Sequence, residues 1–401
     1  MGRTFQALRY RDYRLYWIAL TVSLTGVAFQ TVAQGWLVYR LTGSALMLGV
    51  VGFIPAVLSA PASLLGGAIA DRVSRRNLVI LTQSIMVLPP VVLALLIWTG
   101  QVQVWHVIAA SSALGIVAAL DLPSRTAMIP NLVPTADVLN AQGLASAVRQ
   151  VTRIVGPALA GILIATAGEA VCFLVNGLSY LAMVVAFFLM RPQPVPALDR
   201  RGGMRGALLE GFRYTWEHPV ILGLFAMFAA QGLFLSPVLT LLPVYAKDIL
   251  SIGAVGLGWL HSAIGGGALV GAIVVSSLRA SRRGWVLMAG SAAMPFAMVA
   301  FAWSRQLPTS LPFLLVLGFG TVVITAITAT MLLILVPDEV RGRVNSLGTM
   351  VYFGTPYVAG LAVGFIAEQA GAPITLTLSA SLFLVSLIVI NLKSPAVRRL
   401  A

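Results

Sequence analysis

Twelve apolar stretches of about twenty residues each recur along the 401 residues of this chain, and they restrict its fold more than any other feature. A hydrocarbon layer ~30 Å thick takes ~20 apolar residues of helix to cross. Lipid offers no partner to an unpaired backbone group, so every crossing segment must satisfy its own hydrogen bonds. The chain therefore reads as an all-α polytopic membrane protein. Its charged fraction is 9%, against about a quarter in a soluble domain. The net charge of +14 is scattered over short loops, and nucleic-acid binding needs one contiguous solvated face. Nucleic acid is thus excluded as a partner. The single cysteine, Cys172, lies inside an apolar run, which rules out an internal disulfide and suits an inert packing role. The first apolar run is too long for a signal peptide and lacks a cleavage site.

Gly, Pro and charge punctuation delimit the spans as 15–38, 44–70, 78–98, 105–120, 141–166 and 170–190, then 219–242, 256–278, 285–303, 311–336, 345–367 and 373–392. The expected architecture is twelve transmembrane helices in two six-helix bundles, 1–190 and 219–401, joined by a linker, 191–218. Within the linker, Leu208, Leu209, Phe212 and Trp216 alternate with charges. That pattern predicts an amphipathic helix lying on the membrane surface.

Twelve crossings put both termini on one side. Of the 26 Lys and Arg residues, twenty-one fall on the side of the termini. Only Arg40, Lys247 and Arg305 fall on the other, and Arg149 and Arg153 lie within a span. The positive-inside bias places both termini and the linker in the cytoplasm, as expected for a multi-pass protein of a bacterial inner membrane. The halves also repeat. Leu132-Val133-Pro134 recurs as Leu335-Val336-Pro337, and Ala167-Gly168 as Ala370-Gly371, both at an offset of 203. Parallel halves of this kind are a transporter design with a substrate site near mid-membrane.

Some short segments carry chemistry. Gly67-Ala-Ile-Ala-Asp71-Arg72-Val-Ser74-Arg75-Arg76 follows the second span. An Asp among three Arg at a tight turn can bond neighbouring helix ends, and Gly67 lets a second backbone approach closely. The plain alternative is an ordinary positive-inside loop. In span five, Gly156-Pro157 precedes Gly161. The proline removes one backbone bond and bends the helix.

These segments resemble signatures of the major facilitator superfamily. The first is similar to its cytoplasmic loop motif, with Ser74 in place of a glycine. The resemblance implies that Gly67, Asp71, Arg72, Arg75 and Arg76 form a gating latch. The second is similar to the antiporter motif of the superfamily's exporters through Gly156, Pro157 and Gly161, with Thr152 and Ala160 replacing glycines. Further segments resemble the enterobactin-exporter-like and macrolide-efflux-like branch: Phe5-x-x-Leu8-Arg9-x-Arg11-Asp12-Tyr13-Arg14, the run Gln34 to Ser44, and Pro337 to Arg343.

The intramembrane charge and coupling candidates are Asp121, Arg149, Arg153 and His261. An Arg at the bilayer centre costs ~2.5–3.5 kcal/mol on insertion scales, so Arg153 must face protein, water or an anion. It either recognises an anionic substrate group or makes a structural pair. Asp121, near the end of span four, pairs with Arg75, Arg76 or Arg149, or carries a proton. Proton-driven members often have an Arg early in span four, which is absent here between Trp105 and Leu120. His261 titrates or is simply hydrogen-bonded. By resemblance, spans one, four, seven and ten line the cavity, which makes Gln30, Gln34, Gln231, Thr321, Thr325 and Thr328 cavity candidates. Such residues also serve as interhelical glue.

No nucleotide-binding loop, paired carboxylates or metal-ligand cluster is present in the sequence. The expectation is a monomeric secondary transporter without cofactor or metal, and not an enzyme. It works in the lipid bilayer and exports amphipathic small molecules by proton antiport. An importer or a lipid flippase of the same fold is the alternative.

Overall fold

The computed structural model describes residues 5–70, 74–191, 212–277 and 283–393. Twelve long helices account for the twelve apolar stretches. They are α1 (Arg11–Thr42), α2 (Ala45–Ala70), α3 (Arg75–Trp98), α4 (Val104–Met128), α5 (Val138–Ala167) and α6 (Glu169–Leu189). The second six are α7 (Pro219–Ile249), α8 (Gly253–Ser277), α9 (Arg283–Ala302), α10 (Leu307–Leu335), α11 (Asp338–Ala370) and α12 (Ala372–Lys393). Eleven are long and apolar enough to cross a membrane, and α9 contributes the shorter apolar stretch Val286–Ala302.

Most helices overrun the apolar runs that announce them. The sequence closes span four at 120, yet α4 continues through Pro123 to Met128. It opens span eleven at 345, yet α11 starts at Asp338. Apolar length reports the thickness of hydrocarbon, whereas the intrahelical ladder continues into water as long as capping permits. One internal irregularity has no counterpart in the hydropathy. Helix α7 passes through π-helical turns at Gln231–Leu235 and Tyr245–Ile249. The first precedes Pro237, whose ring cannot join the regular ladder, and Ser236 N–H reaches back five residues to Gln231 C=O at 3.1 Å.

The chain forms two compact units. One comprises Met1–Gly43, Val51–Asp199 and Gly253–Ser262, and the other Ser44–Val50, Arg200–Ile252 and Ala263–Ala401. In the first unit α1 packs on α4, α5 and α6, and α3 packs on α4 and α6. In the second, α7 packs on α10, α11 and α12, and α9 packs on α10 and α12. Adding six to each helix number converts one scheme into the other. The backbone repeats as well. Pro134 and Pro337 cap α5-side and α11-side segments with φ/ψ of −58/152 and −55/150. Gly168 and Gly371 end α5 and α11 with φ of +82 and +84, a region glycine enters without steric cost. The offset of 203 in sequence is thus a repeat of structure.

Of the linker helix expected over 204–217, residues 204–211 lie outside the described part. Residues 212–217 are helical, with Phe212 stacked on Trp216 and Arg213 paired with Glu217 at 2.8 Å.

Candidate functional site

Within hydrocarbon the hydrophobic effect does not drive helices together, so their polar groups and small residues carry the specificity of packing. In the first unit these groups occur as bonded sets. Asn176 on α6 donates from Nδ2 to Gln30 Oε1 on α1 and to Tyr180 Oη at 3.3 Å, deep in the unit. Gly26, one turn before Gln30, makes room, because a Cβ there would collide with Asn176 and Ser179. Ser111 on α4 donates to Gln34 Oε1 at 3.0 Å. Thr82 on α3 donates to Asp121 Oδ1 at 2.9 Å, and Arg125 Nε stands 3.5 Å from Asp121 Oδ2. The partner of Asp121 is therefore Arg125, one turn on, because α4 does not stop at residue 120. Beside Thr82, the amide of Gln83 is buried with neither end bonded among the described residues.

Helix α5 presents a different face. Ser146, Arg149 and Arg153 are exposed and, at spacings of three and four, share one stripe. Arg149 donates to Ser146 Oγ at 2.9 Å. Continuing along the stripe, Pro157, Ala160 and Ile164 are buried. The cover is the opening of α8. A Cβ on Gly161 would lie 2.6 Å from Ala254 O, and one on Gly258 would lie 2.5 Å from Pro157 O. Ser262 Oγ donates to Ile154 O at 2.6 Å. This brings His261 within electrostatic reach of Arg153. Pro157, Gly161, Arg153 and His261 thus assemble around one helix crossing, whereas Gly156 faces α1, where a Cβ would lie 2.5 Å from Ala28 Cβ.

At the Arg-rich ends, Arg76 on α3 donates to the terminal carbonyls of α6, Phe187 O at 2.8 Å and Phe188 O at 3.1 Å. Arg75 is the first residue of α3, and Gly67 lies in α2. Asp71 and Arg72 lie outside the described residues. The opening of α1 is fastened to the start of α5. Tyr10 Oη donates to Asp137 at 2.7 Å, Tyr13 Oη to Ala141 O at 2.6 Å and Trp17 Nε1 to Leu144 O at 3.3 Å. The Tyr10 phenol is held above its ordinary value, first by its hydrogen bond to Asp137. In the second unit Arg341 pairs with Asp338 and bonds Val336 O at 3.1 Å.

The second unit gathers its polar candidates on α7 and α10. Gln231 Nε2 donates to Thr325 Oγ1 at 3.2 Å and to Thr321 O at 3.4 Å, at the start of the π turn. Thr328 is fully buried, and its hydroxyl has no partner among the described residues. Next to Gln231, a Cβ on Gly232 would strike the Thr355 hydroxyl of α11. The opening of α2 belongs here too. Glu368 accepts from Ser44 Oγ at 3.0 Å and from Leu46 N–H at 3.3 Å. A carboxylate at a helix N-terminus is favoured by the helix dipole. A Cβ on Gly364 would lie 2.6 Å from Ala45 O, and one on Gly49 would collide with Gly360 O.

The family model described as "Transmembrane secretion effector" matches residues 3–400. The chain is 30% identical to the multidrug efflux pump Tap of Mycolicibacterium fortuitum, over 95% of both chains. It is 24% identical to the enterobactin exporter EntS of Shigella boydii, over 92% of this chain and 87% of that one. Among solved structures, the nucleoside transporter NupG superposes with a TM-score of 0.78 at 13% identity, over 95% of this chain and 98% of that one. The chain belongs to the major facilitator superfamily. It is a multi-pass membrane protein of that superfamily's transporter type.

Several residues of this superfamily member escape a reading of sequence alone. Asn176 is a lone amide in an apolar run, a signal that marks it but names no partner. Arg125 and Glu368 read as loop charges until α4 and α11 are seen to extend over them. Ser262 gives no signal, since its role depends on Ile154, 108 positions away.

Proposed function

We propose that this protein is a secondary active exporter of amphipathic small molecules, driven by inward protons and cycling by alternating access. The observation that carries the reading is the full-length likeness to two exporters of unlike cargo, one a multidrug pump and one a siderophore exporter. The inner-helix arrangement supports it. Gln30, Gln34, Thr82, Ser111, Asp121 and Asn176 of α1, α3, α4 and α6 are bonded to one another in pairs, while one stripe of α5 is exposed at Ser146, Arg149 and Arg153 and buried from Pro157 onward.

In this reading Asp71, Arg72, Arg75 and Arg76 form the latch, Pro157 and Gly161 the crossing that opens and closes, and Gly156 the seat of α5 on α1. Asp121 and His261 are the candidate proton carriers, and Gln34, Thr321 and Thr325 contact cargo. The protein acts as a monomer in a bacterial inner membrane with both termini in the cytoplasm. One proton moving down ~100 mV releases ~2.3 kcal/mol, enough for about forty-fold accumulation at 1.4 kcal/mol per decade. The test is accumulation of a panel of antibiotics and siderophores in cells with and without the protein, repeated with an uncoupler. Lower accumulation that the uncoupler abolishes is the expected result. No difference for any compound overturns the reading.

A further inference from the structure

Arg153 stands fifteen residues after the start of the thirty-residue α5 and fourteen before its end. At 1.5 Å per residue that is about 22 Å from either end, further than a snorkelling side chain spans. Such a cation must face protein, water or an anion, and among the described residues no carboxylate pairs with it. Among the 12 carboxylates of the chain, Asp121 alone lies well inside a span, and it is already bonded to Thr82 and Arg125. Glu169 is taken by Arg40, and Glu368 by Ser44 and the start of α2. Arg153 is nevertheless exposed, with no carboxylate in ion-pair range among the described residues. Arg149 is exposed one turn away, and its bond to Ser146 leaves most of its guanidinium donors unused. The bond from Ser262 to Ile154 keeps the α8 turn that carries His261 against the α5 turn that follows Arg153.

We propose that Arg153 and Arg149 form the seat for an oxyanion carried by the cargo, so that the preferred substrates are amphipathic anions bearing a carboxylate or phosphate. Each guanidinium is a planar fork that can donate to two oxygens of a carboxylate or phosphate, and the two residues stand one helical turn apart. The apolar remainder of the cargo is left to the hydrocarbon-like surroundings. The inference deepens the export reading by naming the charge of the cargo, and its test does not depend on transport.

The test is binding to the purified full-length protein in nanodiscs of zwitterionic lipid, which removes anionic headgroups as competitors. The probes are 11-(dansylamino)undecanoic acid, its methyl ester and the corresponding amine, followed by dansyl fluorescence. The acid should bind ten- to a hundredfold more tightly than the ester, the span of a hydrogen bond to a charged group. Arg153→Gln should weaken binding of the acid far more than that of the ester and so erase that preference. Arg153→Lys, which keeps charge without the fork, should lower the preference severalfold. Because Arg153→Gln removes an uncompensated charge, its ligand-free Tm should equal or exceed that of the wild type, which a structural arginine would not allow. An acid-to-ester ratio near one in the wild type, or a ratio unmoved by Arg153→Gln, overturns the proposal. Export of the ester and amine from proteoliposomes without preference for the acid would refute the charge assignment and leave the export reading standing.

Discussion

Substituting Gly258 by Ala tests how closely α5 and α8 cross. The added Cβ would lie 2.5 Å from Pro157 O and 3.2 Å from Ala158 Cα, where ordinary contact begins near 3.4 Å. The obstructing atoms are backbone, so the helices must part by close to 1 Å instead of a side chain turning aside. Overpacking of this kind costs about 1–3 kcal/mol. Spread over an equilibrium between docked and undocked crossings, this amounts to a shift of roughly five- to 150-fold in population. Spin labels on the exposed Leu159 and Trp259, with Cys172 replaced by Ser, report the separation by pulsed electron resonance. The wild type should give one short distance, and Gly258→Ala should add or enlarge a longer one. Gly161→Ala should act alike, since its Cβ meets Ala254 O at 2.6 Å. An unchanged distance distribution in both variants would refute the reasoning, because helices already apart have room for a methyl group.

Three further outcomes follow from the bonded sets. Tyr13→Phe removes a donor from a fully buried pair with Ala141 O, and should cost about 1–3 kcal/mol, seen as a lowered Tm in detergent. Asp121→Ala strands a largely buried Arg125 and should cost about 3–5 kcal/mol. The double variant with Arg125→Leu should recover most of that loss, and a strictly additive double variant would show that the two side chains do not interact. Asn176→Leu should destabilise by leaving Gln30 unpaired, and Gln30→Leu in the same chain should restore Tm.

Parts of the candidate site were legible from residue types alone. Arg153 declares itself, since a cation in mid-span demands an explanation wherever it points. Gly156-Pro157 and Gly161 likewise mark a bend and a close approach. The partners were not legible. Asp121 has several cations within a turn or a loop of it, and the choice of Arg125 rests on α4 continuing past Pro123. Gln30 and Gln34 are four residues apart and alike in type, yet one is bonded deep in the unit to Asn176 and the other, half-buried, to Ser111.

Hydropathy by itself determined the class of fold and the number of helices, because lipid imposes one requirement on every crossing segment and that requirement is written in local composition. Tertiary structure alone decided the pairings. Which amide meets which, and which glycine meets a backbone 97 residues away, depend on helix rotation about its own axis. A run of apolar residues equally content on every side carries no record of that angle. The opening of α8 lies against α5, and the opening of α2 against α11, because small residues at Gly161, Gly258, Gly49 and Gly364 permit backbone contact there.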